Sequence, residues 1–323
     1  MKDWRPSSGP DVAKRRAALL RRLRAYFDAC SLIEVDTPAL SRAAVSDVHI
    51  ESLAVASSLS SQPLYLHTSP EFFMKRMLAA GYPDIYSICR VFRDGEVGRN
   101  HQPEFTMLEW YRLGFNLDAI IQNTTQAIAI ALQEPHLSSN YETLNYQDAF
   151  LKTCGIDPLS CSIDALADVL EADLDLRKSL GDEHRDWLDL ILTVKILPGL
   201  PTDKLTVLQH YPVDQAALAR SCPNDAGVAD RFEVFLGTTE IANGYVELID
   251  SKVQSDRISA DQAYRKGHGL PQRPVDQAFI DALNFGLPAC AGVAMGLERL
   301  QMLDDKSSDI NDVITFAFEV SDD

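Results

Sequence analysis

The stretch Pro103-Glu104-Phe105-Thr106-Met107-Leu108-Glu109-Trp110-Tyr111 decides how the rest of the chain is interpreted. Its odd-numbered and even-numbered positions form two separate series, as in a β-strand, where successive side chains point to opposite faces. A strand is predicted from Ile85 to Phe92, and a turn signal, Asp94-Gly95-Glu96, follows it. The sequence therefore predicts a strand–loop–strand unit in which Glu109 and Tyr111 share one face.

A second stretch, Thr239 to Glu247, shows the same alternation and places Asn243, Tyr245 and Glu247 on one side. A carboxylate is costly to bury unless a cation pairs with it. Carboxylates and aromatic rings around one point suit an ammonium group, through ion pairing and cation–π attraction. We therefore expect the two strands to aim these side chains at a common point. The spacing alone leaves open an ordinary solvent-facing side of an antiparallel sheet.

The other elements predict an α+β fold, with an antiparallel sheet flanked by helices and no doubly wound parallel sheet. Thr68 or Ser69 is expected to cap a helix that has Pro70 in its first turn, Glu71 at its positive end and Gly81 as its stop. Further helices are predicted over 11–29, 117–133, several short stretches of 146–196, and two stretches of 253–284. Further strands are predicted over 33–37, 47–66, 205–210, 231–237, 240–249 and 291–295.

The composition is that of a folded protein with a sizeable core, since 46% of the 323 residues are apolar and 24% are charged. No apolar run approaches the roughly 20 residues of a membrane span, and the N-terminus does not resemble a signal peptide. Six cysteines form no C-x-x-C pair and are expected to be reduced thiols of a cytoplasmic protein. The net charge of −17 disfavours a nucleic-acid partner. One basic cluster over 14–24 is either a solvated helix face or a docking surface for an acidic partner.

Two arginines and two glutamates are candidates for phosphate chemistry. Arg93 ends a strand, and Arg299 begins the helix that follows Gly292 to Leu297. Arginine forks bind phosphate oxygens bidentately. Glu233 and Glu240 lie on one strand or on adjacent strands, and such carboxylates near phosphates hold Mg²⁺; surface acids of an acidic protein remain the alternative. No dinucleotide-binding or P-loop motif, zinc spacing or G-x-S-x-G nucleophile motif is present.

Taken together, these segments resemble the catalytic core of the class II aminoacyl-tRNA synthetases, and the lysyl branch in particular. Glu34 to Pro38 resembles the first motif of that family, 92–111 the second and 292–299 the third, while Thr68 to Glu71 and Ala242 to Glu247 resemble the lysine-pocket segments. The closer resemblance is to truncated paralogues that ligate (R)-β-lysine to elongation factor P. The chain begins about thirty residues before the first motif, so a single catalytic domain over 1–323, with a helical insertion at 146–200 and no OB-fold anticodon-binding domain, is expected.

The resemblance implies ATP-dependent formation of an aminoacyl adenylate, with Mg²⁺ and without tRNA, in a homodimer. The acceptor would be a lysine of elongation factor P, with another acceptor or a non-catalytic binding protein as alternatives. The roles implied for individual residues are catalysis by Arg93 and Arg299; amino-acid binding by Ser69, Pro70, Glu71, Glu109, Tyr111, Asn243, Tyr245, Glu247 and Ala294; nucleotide binding by Arg93, Asp94, Gly95, Glu96, Gln102, Phe105, Glu240, Ile241, Gly296 and Arg299; and metal binding by Glu233 and Glu240.

Three positions depart from the pattern of the synthetases. Gly95 replaces a glutamate of the second motif, Gln102 replaces an asparagine, and Glu298 replaces an aspartate. Ala294 stands where lysyl-tRNA synthetases usually have glycine, and its methyl group is expected to reshape the pocket in favour of a β-amino acid. The basic first helix offers one surface for elongation factor P, which is usually acidic, but a solvated helix face remains the favoured interpretation of this helix.

Overall fold

The computed structural model describes residues 4–318. The strands are β1 (Ile33–Glu34), β2 (Leu40–Ser41), β3 (Ala54–Val55), β4 (Leu64–Leu66), β5 (Ile85–Phe92), β6 (Glu104–Leu113), β7 (Tyr141–Asn145), β8 (Leu205–Gln209), β9 (Ser221–Cys222), β10 (Asp225–Ala229), β11 (Arg231–Leu236), β12 (Thr239–Val246) and β13 (Cys290–Gly296). The helices are α1 (Pro10–Ala29), α2 (Glu71–Ala79), α3 (Leu117–Leu132), α4 (Tyr146–Cys154), α5 (Ile163–Val169), α6 (Leu174–Leu180), α7 (His184–Ile191), α8 (Ser251–Gly267), α9 (Gln277–Gly286) and α10 (Leu297–Asp305).

One eight-stranded sheet, in the order β1-β5-β6-β13-β12-β11-β8-β7, forms the centre of the fold. The neighbouring strands of the central run β5-β6-β13-β12-β11-β8 all pair antiparallel, as predicted. The two edge pairs, β1 with β5 and β7 with β8, are parallel, so the sheet is antiparallel in its centre and mixed as a whole. The chain reaches each edge strand through a helix or a long connection, which permits parallel pairing.

The two faces of β6 have different environments, as its alternation predicts. On one face, Leu108 and Trp110 are fully buried. The Trp110 indole packs against Phe27 of α1, with ring centroids 5.3 Å apart, and its Nε1 donates a 3.0 Å hydrogen bond to Asn123 Oδ1 of α3. The opposite face carries Glu109 toward a cavity. Helix packing on one face therefore fixes which side chains are available on the other.

The cap predicted for α2 is wrong. The N-cap position is Pro70, and no side chain caps the helix. Ser69 Oγ lies 3.4 Å from the Glu71 amide nitrogen, a contact too long for a strong cap. The predicted stop is confirmed, because Gly81 follows the helix with φ +91°, a left-handed conformation that favours glycine.

The short helices predicted within 146–196 are α4 to α7. They surround a separate apolar cluster that contains Tyr146, Phe150 and Trp187. This cluster also packs on Leu208 and Phe235, and so covers the β7 end of the sheet. The strands β2, β7, β9 and β10 were not predicted; β2 and β9 have only two residues each, β10 pairs with β9, and β7 pairs with β8.

The basic cluster of α1 is solvated for the most part. Lys14, Arg15, Arg21 and Arg24 are exposed, and Arg15 and Arg24 form ion pairs with Asp305 and Glu34. Arg16 and Arg22 are only about one-fifth exposed (20% and 21%), and both pair with acids of α10. The solvated face therefore describes most of the cluster, while Arg16 and Arg22 join α1 to α10.

Glu298 of α10 forms one of the contacts that join α1 to α10. Its side chain is 3% exposed and accepts hydrogen bonds from Arg16 (2.9 Å) and from the Thr106 amide (2.9 Å). Arg16 also donates to Gln301 Oε1 at 3.1 Å. A glutamate at this position thus connects α1, β6 and α10.

No helix in residues 4–318 is long and apolar enough to cross a membrane. All six cysteines, which lie inside that range, are free thiols.

We predict that Arg16→Ala destabilises the fold by about 3 kcal/mol, because removing one partner of a buried ion pair leaves the other charge uncompensated. The free energy of unfolding is measured by urea denaturation. Lys14→Ala is the matched control, since Lys14 is 77% exposed and its ion pair with Asp11 is on the surface. A loss no larger for Arg16→Ala than for the control would contradict the structural role of Glu298.

Candidate active site

A cavity of about 230 Å³ opens where α2 meets the sheet face formed by β6, β12 and β13. The two predicted strand faces converge on it, so the expected common point exists. Glu109 and Tyr111 are each 2% exposed, as is Glu247. These are buried groups and not the solvent-facing side of a sheet. The predicted residues that line the cavity are Ser69, Glu71, Arg93, Glu109, Tyr111, Asn243, Tyr245, Glu247 and Ala294.

Lys75 stands at the centre of this group, and the sequence reasoning missed it. Its side chain is 1% exposed, and its Nζ lies 2.5 Å from Glu71 Oε1 and 2.5 Å from Glu247 Oε2. The ammonium also lies 5.4 Å from the centre of the Tyr245 ring. One available signal was its spacing, since Lys75 follows Glu71 by four positions and therefore lies on the same face of α2.

The hydroxyl groups of two tyrosines complete the network. Tyr111 donates a 2.7 Å hydrogen bond to Glu109 Oε1, and Tyr245 donates a 2.6 Å hydrogen bond to Glu71 Oε1. Burial, followed by the nearby carboxylates, raises the pKa of both phenols well above the ordinary value. Both tyrosines therefore remain protonated donors that orient the carboxylates.

Burial is also the largest cause of the raised pKa values of Glu109 and Glu247. Burial and then the charge of Glu71 raise the pKa of Glu109 well above its ordinary value. Burial raises the pKa of Glu247 to about 8, against the opposing effect of Lys75. For Lys75, burial disfavours the ammonium, but Glu247 and Glu71 outweigh it, so its pKa lies above the ordinary value. Lys75 is therefore charged, and the carboxylates lack sufficient positive charge.

The shortage of positive charge follows from a count of the ionisable side chains. Glu71, Glu109 and Glu247 surround a single ammonium, Lys75, which leaves an excess of two negative charges when all are ionised. Glu247 Oε1 is buried and accepts no hydrogen bond from the residues that the structure describes. A buried acceptor without a donor is costly. A ligand with two ammonium groups would supply both the missing charge and the missing donor.

Gly292 is required for this arrangement. A Cβ at this position would lie 2.5 Å from Glu247 Oε1 and 2.5 Å from Tyr111 Cε1, distances that real Cβ atoms do not tolerate. The neighbouring position of the same strand that faces the cavity is Ala294, paired with Glu109 on β6. The methyl group of Ala294 thus forms part of the cavity wall.

A second cavity lies beside the first and contains the predicted phosphate and metal groups. Arg299, Glu233 and Glu240 all line it, together with His101 and Arg231. Arg299 donates to Glu240 Oε2 at 3.0 Å and to His101 Nε2 at 2.7 Å. Burial, and then the charge of Arg299, lowers the pKa of His101, so the neutral imidazole accepts this bond.

Glu233 is held from both sides. Tyr211 donates to its Oε2 at 2.7 Å, and Arg231 donates to its Oε1 at 2.5 Å. Burial raises the pKa of Glu233 to about 7, and Glu240 adds to the rise while Arg231 opposes it. A divalent cation between Glu233 and Glu240 would favour the ionised form of both. The donor set fits Mg²⁺, which takes one or two carboxylates and completes its shell with water and phosphate oxygens.

Of the two predicted phosphate-binding arginines, Arg93 is the one that borders the first cavity. It lines the first cavity and lies over the Phe105 ring, with its guanidinium carbon 5.2 Å from the ring centre. Its Nε is buried and has no hydrogen-bond partner within residues 4–318. An ion pair with Glu96 is long, at 3.6 Å. Arg93 therefore retains a donor for a ligand oxygen.

Several predicted nucleotide-binding residues have other surroundings. The Gln102 amide donates to Asn311 Oδ1 (3.0 Å) and accepts from the Phe318 amide (2.7 Å), so its side chain contacts the C-terminal segment, and its contact with the nucleotide stays a prediction. The Ile241 side chain is 2% exposed and belongs to the main core, which leaves only its backbone for a ligand.

The remaining predicted residues occupy turns. Asp94 and Gly95 form the turn after β5, where Gly95 has φ +77°. Pro70 is the N-cap of α2, and Gly296 is the N-cap of α10. No side-chain interaction with a ligand follows from these positions, and their roles remain predictions.

Residues 2–319 match the family model described as class II tRNA synthetases (D, K and N). The chain belongs to this family. Its relatives include the proteins named elongation factor P–(R)-β-lysine ligase from Pseudoalteromonas translucida (41% identical over 320 residues, 97% of each chain), Erwinia tasmaniensis (40% over 326 residues, 98% of each) and Salmonella typhi (40% over 322 residues, 98% of each). The domain, together with the relatives' names, establishes an ATP-dependent ligase.

We predict that Lys75→Met raises the KM for the amino acid about 10-fold or more, a change of about 1.4 kcal/mol. Without the ammonium, Glu71 and Glu247 repel each other, and one of them takes up a proton. The measurement is amino-acid-dependent ATP–pyrophosphate exchange. Lys252→Met is the control, because Lys252 forms an exposed ion pair with Asp256. An unchanged KM in folded Lys75→Met protein would show that Lys75 does not position the carboxylates.

Proposed function

We propose that this ligase activates a lysine-like diamino acid as its adenylate and transfers it to a lysine ε-amine of elongation factor P. The observation that carries the proposal is the buried group of Glu71, Glu109 and Glu247 around Lys75, which has an excess of two negative charges when all are ionised. Lysine and β-lysine each carry two ammonium groups, so either would neutralise the group. Monoamino acids would leave one carboxylate uncompensated, which is costly in a buried site.

The proposed binding mode follows from the positions of the acids. Glu71, beside Ser69 at the start of α2, receives the amino group nearer the carboxylate. Glu247 and Glu109 receive the distal ammonium, with Glu247 Oε1 as the unsatisfied acceptor. Asn243, Tyr111 and Tyr245 line the same cavity and add hydrogen-bonding groups.

ATP is proposed to lie across the two cavities. Arg93, whose Nε lacks a partner, would hold the α-phosphate, and Arg299 the γ-phosphate. Glu233 and Glu240 would hold Mg²⁺ together with phosphate oxygens and water. The divalent ion would draw negative charge from the triphosphate and so help pyrophosphate to leave.

The chemistry needs little from the protein beyond position and charge. The substrate carboxylate is ionised at pH 7 and attacks the α-phosphorus without a general base. A P–O bond forms to the carboxylate oxygen as the bond to pyrophosphate breaks. Arg93 and Arg299 stabilise the charge that develops on the phosphates, and the closed acidic pocket fixes the distance between the reactants.

The acceptor proposal rests on the relatives, which are named for elongation factor P and match the present chain over almost their whole length. Its ε-amine would attack the carbonyl carbon of the adenylate after losing a proton, which releases AMP and forms an amide. Arg15, Arg16, Arg22 and Arg24 of α1 pair with acids of this chain, so the proposal does not place the docking surface on these four side chains.

We also propose a cytoplasmic homodimer. Strand β1 is the edge of the main sheet; Ile33 within it is 49% exposed, and Leu40, six residues farther along the chain in β2, is 41% exposed. These residues flank the segment that resembles the first motif, which lies at the dimer interface in the family. Six free thiols suit a reducing compartment.

We predict that amino-acid binding releases a proton near neutral pH. The Glu247 carboxyl, with its pKa raised to about 8, is largely protonated below that pH in the free protein, and a substrate ammonium favours its ionised form. The KM for the amino acid should therefore fall as pH rises toward about 8. Calorimetric titration in two buffers of different ionisation enthalpy measures the protons released.

Glu104→Gln is the control for this prediction, since Glu104 begins the same strand as Glu109 but is exposed. It should leave the proton release unchanged, whereas Glu247→Gln should abolish it and weaken binding. The informative pH range runs from about 6 to about 8, up to the pKa of Glu247. A KM that does not change with pH over this range would oppose the assignment of Glu247.

We predict that incubation with ATP, Mg²⁺, elongation factor P and a lysine isomer adds one lysyl mass to the factor, faster with (R)-β-lysine than with α-lysine. The intact mass of the factor is the measurement. Arg299→Ala should nearly abolish pyrophosphate release, and Ala294→Gly should shift the ratio of kcat/KM values toward α-lysine, because it removes the methyl group from the cavity wall.

Each outcome has a distinct meaning. Pyrophosphate release without a mass gain would retain adenylate formation and reject elongation factor P as the acceptor. Absence of both pyrophosphate and the mass gain would reject the proposed amino-acid substrate. An unchanged isomer ratio in Ala294→Gly would remove Ala294 from substrate selection.

A further inference from the structure

Three side chains of types that bind zinc meet outside the proposed active site. His210 follows β8, Cys222 lies in β9, and Asp230 lies between β10 and β11. One ligand atom from each, an imidazole nitrogen, the thiol sulfur and a carboxylate oxygen, lies within 4.8 Å of the other two. They are separated in the sequence by twelve and eight positions, which is why no metal spacing was visible there.

The partners of His210 select the nitrogen that faces the cluster. Asn145 Oδ1 lies 3.1 Å from His210 Nδ1, and the same oxygen accepts a 3.0 Å bond from Gln209 Nε2. An amide oxygen requires a donor, so Nδ1 carries the proton and Nε2 carries the lone pair. His210 Nε2 lies 3.9 Å from Asp230 Oδ1. A second partner on the non-ligating nitrogen is the usual arrangement of a metal-bound histidine.

The two carboxylate oxygens of Asp230 also have different partners. Arg220 donates both of its hydrogen bonds, at 3.1 and 2.5 Å, to Oδ2. The other oxygen, Oδ1, faces His210. The Asp230 side chain is 6% exposed, and its buried position fixes the direction of this oxygen. Arg220 thus acts as an outer partner that orients the carboxylate and leaves one oxygen for an ion.

The backbone at His210 is also constrained. Its φ is +58°, in the left-handed region, and its amide donates to the Arg231 carbonyl at 2.9 Å. Residues held in such conformations concentrate at functional sites, because the surroundings must offset the strain. Here the conformation directs the imidazole back over the start of β11.

We propose that His210, Cys222 and Asp230 bind one Zn²⁺, with water as the fourth ligand. A thiolate, an imidazole and a carboxylate are the ligand types that zinc takes in a tetrahedral site, where ligand atoms lie roughly 3.5 Å apart. Small rotations of the side chains bring the three atoms to that separation. The thiol loses its proton to solvent when the Zn–S bond forms, so binding strengthens with rising pH.

The site joins the hairpin of β9 and β10 to the ends of β8 and β11. The segment 215–219, which precedes β9, lines the amino-acid cavity, and the Arg220 amide donates to the Val246 carbonyl of β12 at 2.8 Å. A bound zinc would therefore fix one wall of that cavity from behind, without contact with the reacting atoms. The inference concerns a structural ion and goes beyond the proposed reaction.

The test uses the full-length protein, stripped of metal with a chelator and titrated with Co²⁺ and then Zn²⁺. The expected result is one ion per chain, a thiolate-to-cobalt absorption band that Zn²⁺ displaces, and a rise in Tm with Zn²⁺. Cys222→Ser and His210→Asn should each weaken binding by more than about 10-fold, and Asn145→Ala by about 10-fold. Asparagine is chosen at 210 because it tolerates the left-handed backbone.

Cys161→Ser is the matched control, because Cys161 Sγ also lies beside a histidine, 3.7 Å from His184 Nε2. It should retain the cobalt band and the affinity. Equal zinc affinity in wild type and in folded Cys222→Ser protein would overturn the proposal. Metal binding without a thiolate-to-cobalt band would also overturn it, and would point to Glu233 and Glu240 as the ligands. Loss of the band in Cys161→Ser alone would overturn it as well.

Discussion

The ion pairs of Lys75 with Glu71 and Glu247 are the constraint on which the active site depends. Three carboxylates could not remain buried together without a cation, because each ionised group must be paired or lose its charge. A single ammonium stabilises the group only in part. The group is thus stable enough to form and keeps more carboxylates than cations, which supports the proposed ligand with two positive charges.

This electrostatic arrangement requires a rigid support, and the fold provides it from the opposite face of the sheet. Trp110 packs against α1 and bonds to α3, which fixes the register of the strand that carries Glu109. Glu298 ties α1, α10 and β6 together, so the helix that begins with the third motif cannot shift relative to the cavity. Packing of apolar side chains on one face and burial of charge on the other are therefore interdependent.

The neighbouring phosphate cavity follows a different principle. Arginines are paired with acids there, Arg299 with Glu240 and Arg231 with Glu233, so the charges nearly balance before any ligand arrives. Binding of a triphosphate with a divalent cation would exchange these internal pairs for pairs with the ligand. In the proposed function, the first cavity lacks positive charge that the amino acid would supply. The second cavity contains ion pairs that the nucleotide would rearrange.

Alternation and turn chemistry in the sequence determined the central strands, their faces and the convergence of Glu109, Tyr111, Tyr245 and Glu247, because these depend on local geometry of period two. Other features depended on contacts between distant segments, which periodicity does not encode. Tertiary packing placed Lys75 between two acids, paired Arg16 and Arg22 of α1 with acids of α10 and gave the edge strands their parallel pairing. Tertiary structure alone also brought His210, Cys222 and Asp230 together, since an ion-binding geometry requires side chains to meet in space and not in sequence.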